Sequence, residues 1–131
     1  KLIRAGAPIL LATDAGIMNP DEWERVTPAL REDNSTEVGP AHFRWFDAVT
    51  EKGMKPMDAI LAATRNIAAA YRVLADFGTL EPGKRADLLI LDADPLTSLA
   101  NLRRISAVFK DGVAIDRDRL PVKPVLTGPR H

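Results

Sequence analysis

Three stretches of the chain carry most of the apolar residues, and each spaces them differently. The first is Ala7-Pro8-Ile9-Leu10-Leu11-Ala12-Thr13, an apolar run that stops at the carboxylate of Asp14 and is followed by Ala15-Gly16. Too short for a free-standing helix and opened by Gly6 and Pro8, it reads as a strand buried on both faces, the pattern that parallel sheets produce. Ahead of it, Lys1-Leu2-Ile3-Arg4-Ala5-Gly6 reads as the end of a helix with Gly6 as its stop. The pattern then lapses. Residues 17–40 hold Asn19-Pro20, Thr27-Pro28 and the polar run Arg31-Glu32-Asp33-Asn34-Ser35-Thr36-Glu37, a long connection with a short helix at about residues 20–26.

The second stretch is helical. Phe43, Phe46 and Val49 recur at three-residue steps, Trp45 and Ala48 widen the stripe, and Gly53 follows as a stop, which predicts a helix over 41–52. Another starts at Lys55-Pro56, with proline in the first turn and Asp58 near the positive end of the dipole. Met57, Ile60, Leu61, Thr64, Ile67, Ala68 and Tyr71 trace one face of it over four turns. That is a core face, and Met57 needs no cofactor to explain it.

The third stretch alternates with turn residues. Pro82-Gly83 suits a type II turn, residues 86–92 form a short buried strand closed by Asp94-Pro95, and residues 96–104 form a short helix or turn. Strands at 105–110 and 113–116 flank Asp111-Gly112, a strong hairpin signal. Pro121, Pro124 and Pro129 leave residues 121–131 as an irregular tail. There is no internal repeat and no low-complexity tract. The class is therefore α/β, but incomplete. A buried parallel strand presents unpaired amides and carbonyls on both edges, and three short strands after residue 85 leave an apolar face uncovered. The expectation is that the remaining strands lie upstream or in another polypeptide.

Composition narrows the class without changing it. The 131 residues suit one ordinary domain, and 46% hydrophobic content is a globular value. Eighteen Lys plus Arg balance eighteen Asp plus Glu, and Lys84-Arg85 and Arg103-Arg104 are isolated adjacent basic pairs, so nothing resembles a nucleic-acid or acidic-lipid footprint. No apolar run approaches the ~20 residues that span a bilayer. Without cysteine there is no disulfide framework and no thiolate metal site; a metal would need His and carboxylate ligands, and a reducing compartment such as the cytoplasm is favoured. Lys1 in place of methionine reads as a processed or truncated N-terminus, with any signal peptide out of view.

Candidate chemistry centres on Asp14. The carboxyl end of a strand is where α/β folds gather reactive groups, although, read alone, an aspartate capping the turn is the simpler account. Trp23 sits in the connection nearest to Asp14, where it would line a pocket or anchor the loop. His42, at the start of a helix, faces a site or the surface; the one other histidine is His131. Gly83-Lys84 is not a phosphate loop, because the spaced upstream glycine and the hydroxyl residue after lysine are missing.

Three blocks then resemble a known family. Thr13-Asp14-Ala15-Gly16, the segment from Gly53 to Asn66 (Gly-Met-Lys-Pro-Met-Asp-Ala-Ile-Leu-Ala-Ala-Thr-Arg-Asn), and the segment from Gly78 to Pro95 that opens Gly-Thr-Leu-Glu-Pro-Gly-Lys are similar, in order and spacing, to the C-terminal part of the amidohydrolase superfamily, in its imidazolonepropionase-like and prolidase-like branch. The resemblance implies a metal-dependent hydrolase with a distorted (β/α)8 TIM-like barrel and a small β-sandwich domain. Residues 1–75 would supply the last barrel strand (5–14) and the closing helices, residues 76–120 the C-terminal share of the sandwich. It implies an amide, peptide or cyclic-amide C–N bond as the target, and a divalent metal, zinc by preference, as one or two ions.

By the same resemblance Asp14 is both a metal-site residue and catalytic. A divalent cation lowers the pKa of bound water to ~7, and an adjacent carboxylate can pass the water's remaining proton to the leaving nitrogen. The family's His-x-His pair, its lysine or equivalent and its further histidines have no counterpart in this chain, so most ligands are expected outside it and residues 1–131 alone are expected to be inactive. The partners implied are the missing N-terminal barrel portion, in the same or a separate chain, and a small amide or dipeptide substrate; a homo-oligomer is compatible with this. Two alternatives stay open, a non-catalytic assembly module and a deaminase of the same superfamily.

Overall fold

A computed structural model of the protein describes residues 1–13 and 40–120. After a 3-10 turn at Ile3–Ala5 and the segment 7–13 come three helices, α1 (Pro40–Glu51), α2 (Pro56–Ala63) and α3 (Arg65–Ala70). Strands β1 (Leu88–Leu91), β2 (Ile105–Lys110) and β3 (Val113–Ala114) follow, with 3-10 turns at Leu99–Arg103 and Arg117–Arg119. The fold is mixed α/β. Among the described residues no helix is long and apolar enough to cross a membrane.

The core lies where the first two helices meet. Phe46 of α1, Met54, Ala59 of α2 and Leu99 are buried together, with Ile3, Ile9, Leu11, Trp45, Val49 and Leu102 packed around them. Trp45 and Phe46 meet edge to face, with ring centroids 5.4 Å apart and an interplanar angle of 84°. Ala59 and Ala62 are completely covered, so the α2 surface is closed by small side chains rather than large ones. Arg103 ties the 3-10 turn to α1: its guanidinium lies 2.9 Å from the Asp47 carboxylate and 4.6 Å from the centre of the Phe43 ring.

The helix expected to run unbroken from Lys55 to Tyr71 is two helices. The backbone leaves helical geometry at Thr64 (φ −130°, ψ −90°). There the Thr64 amide bonds the Leu61 carbonyl, tightening the last turn of α2, and the Thr64 hydroxyl donates to the Ile60 carbonyl at 2.7 Å. A threonine that satisfies its own helix's carbonyl competes with the ladder and bends it. The gap takes in the backbone of Gly78 (φ +90°), where a methyl group would stand 2.7 Å from Ala68 Cβ and 3.2 Å from both Arg65 Cα and the Thr64 carbonyl oxygen. α3 ends in a Schellman motif, with Val73 N–H on Ala68 O and Arg72 N–H on Ala69 O, and places Arg72 in the left-handed region (φ 60°). Thr64, at the break, is exposed although expected on the core face, and so are two large side chains, Met57 at 48% and Tyr71 at 76%. The large pair stand at the two ends of the stripe, on surface that no other described element covers.

The sheet is antiparallel, in the order β1-β2-β3. Leu88 pairs with Phe109, Leu89 with Val108 and Ile90 with Ala107, and a bulge then brings Leu91 opposite Ile105. Asp111 (φ 49°) and Gly112 (φ 79°) make the two-residue turn between β2 and β3, both in the positive-φ geometry of a type I′ turn. The strand expected over 86–92 is shorter because the turn claims its start: the Ala86 carbonyl accepts from Gly112 N–H and the Asp87 carboxylate from Asp111 N–H. Within 96–104 the 3-10 turn covers Leu99–Arg103, and over 113–116 the strand is limited to Val113–Ala114, with one further bond from Ile115 N–H to the Val108 carbonyl. Leu80, Leu89, Ile90 and Val113 leave apolar surface open around the sheet.

Candidate functional site

Gly6, in the left-handed conformation (φ 68°), donates its N–H to the Ile3 carbonyl and turns the chain into the segment 7–13. Two bonds then dock that segment on the helix pair. The Leu11 amide donates to the Ala62 carbonyl at 3.1 Å, and the Asn66 side-chain amide donates to the Ile9 carbonyl at 3.1 Å. Ile9 and Leu11 pack toward the core while Leu10, between them, is 40% exposed. Among the described residues the segment has no strand neighbour, and its polar groups at Ile9 and Leu11 go to helices. The break at Thr64 makes this docking work, because it frees the Ala62 carbonyl at the end of α2 and sets Asn66 in the first turn of α3.

The residue to which this segment leads, Asp14, lies outside the described residues, as do Trp23, the connection up to residue 39, the tail and His131. His42 is exposed on α1. Among the described residues there is no group of three or more His, Asp or Glu able to hold a metal ion. The described residues do not themselves fit a metal centre. An open depression of about 300 Å³ beside the docked segment is lined by Ile9, Met54, Asp58, Leu61 and Asn66.

In the sheet layer, charge is used to lock turns. The half-buried Lys84 ammonium donates to the Thr79 hydroxyl at 2.5 Å and to the Glu81 carboxylate at 3.3 Å. The Thr79 hydroxyl, then Lys84, holds the Glu81 carboxyl below its ordinary pKa. Asp87 is likewise lowered, first by the Asp111 backbone N–H and then by Lys110, whose ammonium contacts it. Arg85 pairs with Asp111 at 3.0 Å and covers the Phe77 ring at 5.3 Å. These groups pair with one another within a turn or between the chain entering β1 and the β2–β3 turn, which marks them as structural.

Residues 1–115 match the amidohydrolase family, and the chain belongs to it. Among curated relatives it is similar to an imidazolonepropionase of Streptomyces griseus subsp. griseus, 36% identical over 115 residues, which covers 86% of this chain and 25% of the relative. Two solved structures superpose over nearly the whole chain: molinate hydrolase (43% identity, 99% of this chain, 28% of that one, TM-score 0.82) and phenylurea hydrolase B (45%, 98%, 28%, TM-score 0.82). A Xaa-Pro dipeptidase with bound methionine aligns over 62% of this chain and 20% of its own, at 30% identity and a TM-score of 0.58. The imidazolonepropionase-like and prolidase-like resemblance read from the sequence is borne out. The chain spans about a quarter of the length of the curated relatives it matches.

Proposed function

We propose that this chain is the C-terminal portion of a metal-dependent hydrolase that cleaves a C–N bond in a small amide, urea-like compound, cyclic amide or dipeptide. In this reading residues 5–14 are the last strand of a (β/α)8 barrel, α1 to α3 are its closing helices, and residues 76–120 are one share of a small β-sandwich. The divalent metal takes most of its ligands from the upstream portion. Asp14, at the strand's exit, accepts a proton from the attacking water and delivers it to the departing nitrogen, which an amide needs in order to leave.

The observation that supports this reading is that the chain superposes on two hydrolases over 98% or more of its length, with the residues that precede Asp14 in sequence held by the helix pair. Barrel folds gather their reactive groups at the carboxyl ends of strands, and this supports the role given to Asp14. The test uses the full-length protein against four probes: molinate, a phenylurea, an imidazolone propionate and a prolyl dipeptide. Turnover of at least one is expected, with bound divalent metal found by elemental analysis. Asp14→Asn should lower kcat by about a thousandfold or more, the scale of losing a positioned acid–base group, while the circular dichroism spectrum is retained. Near-parental turnover in that variant refutes the role of Asp14. Residues 1–131 expressed alone should hydrolyse none of the probes.

A further inference from the structure

Every residue of β1 (Leu88–Leu91) is leucine or isoleucine, and the register makes both faces of the sheet apolar. Leu88 and Ile90 share one face with Ala107 and Phe109, while Leu89 shares the other with Val108 and Val113, beside Lys110. Ile90 is 48% exposed on the first face, Leu89 52% and Val113 67% on the second. A sheet that is apolar on both sides belongs inside a stack of layers rather than at a surface. β1 is also an open edge, since among the described residues its one strand neighbour is β2. The Val108 carbonyl accepts from Ile115 N–H on the β3 side, and backbone groups alternate between the two sides of an antiparallel strand. Leu89, directly opposite Val108, therefore turns its own N–H and C=O away from β2, toward the outer edge. Edges that stay in water are blunted by charge, proline or a bulge. β1 has no charged residue and no proline, and the bulge lies in β2, at Ser106. An open groove of about 610 Å³ beside β1 is lined by Leu80, Leu89, Ile90, Ala93 and Pro95.

We infer that the outer edge of β1 is a joining seam: a strand from the upstream portion of the same protein hydrogen-bonds to Leu89 there and makes β1 an interior strand. This rests on the part of the proposed function that makes the chain the C-terminal portion of a longer protein. In the relatives there is ample chain to supply such a strand, because this chain covers 25% of the imidazolonepropionase and 28% of each of the two hydrolases. A second copy of this chain fits less well. It would bring the same sheet with the same bare faces, so pairing β1 with its own copy leaves Leu89, Ile90 and Val113 uncovered. An upstream strand arrives with neighbours of its own that can cover them.

The experiment uses the full-length protein. Amide hydrogen exchange is read at Leu89, with Ile90, whose backbone groups face Ala107, as the internal standard. Leu89 should exchange at least about a hundredfold more slowly than an open-edge amide, and within about tenfold of Ile90, at low and at high protein concentration. In parallel, p-benzoylphenylalanine replaces Leu80, which is 81% exposed at the rim of the groove, and the irradiated protein is digested and mapped by mass spectrometry. A crosslink from position 80 to a peptide N-terminal to Lys1 in the same molecule is expected. Fast exchange at Leu89 beside a slow Ile90 overturns the inference. Protection that fades on dilution, or a crosslink between two chains, assigns the edge to a second copy and overturns it as well, and so does a crosslink confined to residues 14–39 or 121–131. An enzyme active on one of the four probes with a bare β1 edge defeats this inference alone. A joined edge in a protein that turns over none of them defeats the hydrolase reading and leaves the seam standing.

Discussion

Gly78 is the residue on which the packing of the sheet layer against the helix pair makes its sharpest quantitative demand. Its φ of +90° lies where an L side chain is strained, and a methyl group there would meet Ala68 Cβ at 2.7 Å and both Arg65 Cα and the Thr64 carbonyl oxygen at 3.2 Å. Gly83 has nearly the same φ, +87°, and nothing within 4 Å of a methyl group. The pair therefore separates two costs. Left-handed geometry costs a non-glycine residue about 1–2 kcal/mol, of which about 0.4–1 kcal/mol is returned by the less flexible unfolded chain. Gly83→Ala should thus destabilise by about 0.5–1.5 kcal/mol.

Gly78→Ala carries the same conformational cost plus crowding. Carbon atoms settle at about 3.5–4.0 Å, so the Ala68 methyl must yield by most of an ångström and the two backbone neighbours by a few tenths. Overpacking of that kind costs about 1–3 kcal/mol, which brings the total for Gly78→Ala to about 2–4 kcal/mol. The assay is equilibrium urea unfolding of the full-length protein followed by circular dichroism, with both variants and the parent under one set of conditions. Adding Ala68→Gly to Gly78→Ala removes the nearest atom and should return part of the crowding as a favourable coupling of about 0.5–1.5 kcal/mol. Equal losses for the two glycines, or no coupling to position 68, would refute the account of the break at Thr64 as the seat of the Gly78 backbone.

Arg72→Gly should raise stability by about 0.5 kcal/mol, because the Schellman position at φ 60° suits glycine better than arginine; a loss in the same unfolding assay would mean that the arginine side chain contributes more than its backbone costs. Asp87 ionises below its ordinary pKa in the folded protein, so its contribution is fully present above the unfolded value of about 3.9 and is lost as the pH falls through the lowered folded value. Asp87→Asn should therefore flatten the acid side of the stability–pH curve and leave little pH dependence from this turn, as read by melting temperature from pH 7 down to pH 3. The Arg103–Asp47 pair is about half exposed at both ends, so Asp47→Asn should cost less than about 0.5 kcal/mol and nothing in 1 M salt. Arg103→Met, which also removes the guanidinium from the Phe43 face, should cost about 1 kcal/mol and keep most of that in salt.

The parts of this molecule that could be read from its residues are those whose causes lie within a few positions. α1 runs over Pro40–Glu51 against an expected 41–52, and β2 matches at both ends, because caps, stripes and alternation are local. The Asp111-Gly112 turn is the purest case, since the need for two positive-φ residues in succession is written in the two residues themselves. The break at Thr64 escaped because the apolar period continues on both sides of it. Its causes are a hydroxyl turned back on Ile60 and a glycine that arrives from fourteen residues later. Met57 and Tyr71 were misplaced for a related reason: a stripe states that a face suits cover, not which piece of chain supplies it.

The same distinction governs the site. The role proposed for Asp14 comes from likeness to a family rather than from its spacing. Asn66 stood inside a recognised block, yet nothing marked it, because its partner is a backbone carbonyl and a carbonyl has no letter in the sequence. Where function depends on a side chain holding distant backbone, the chain must be folded before the dependence is visible. That is why an acid–base group could be proposed from sequence, whereas the tie from Asn66 to the Ile9 carbonyl came only from the fold.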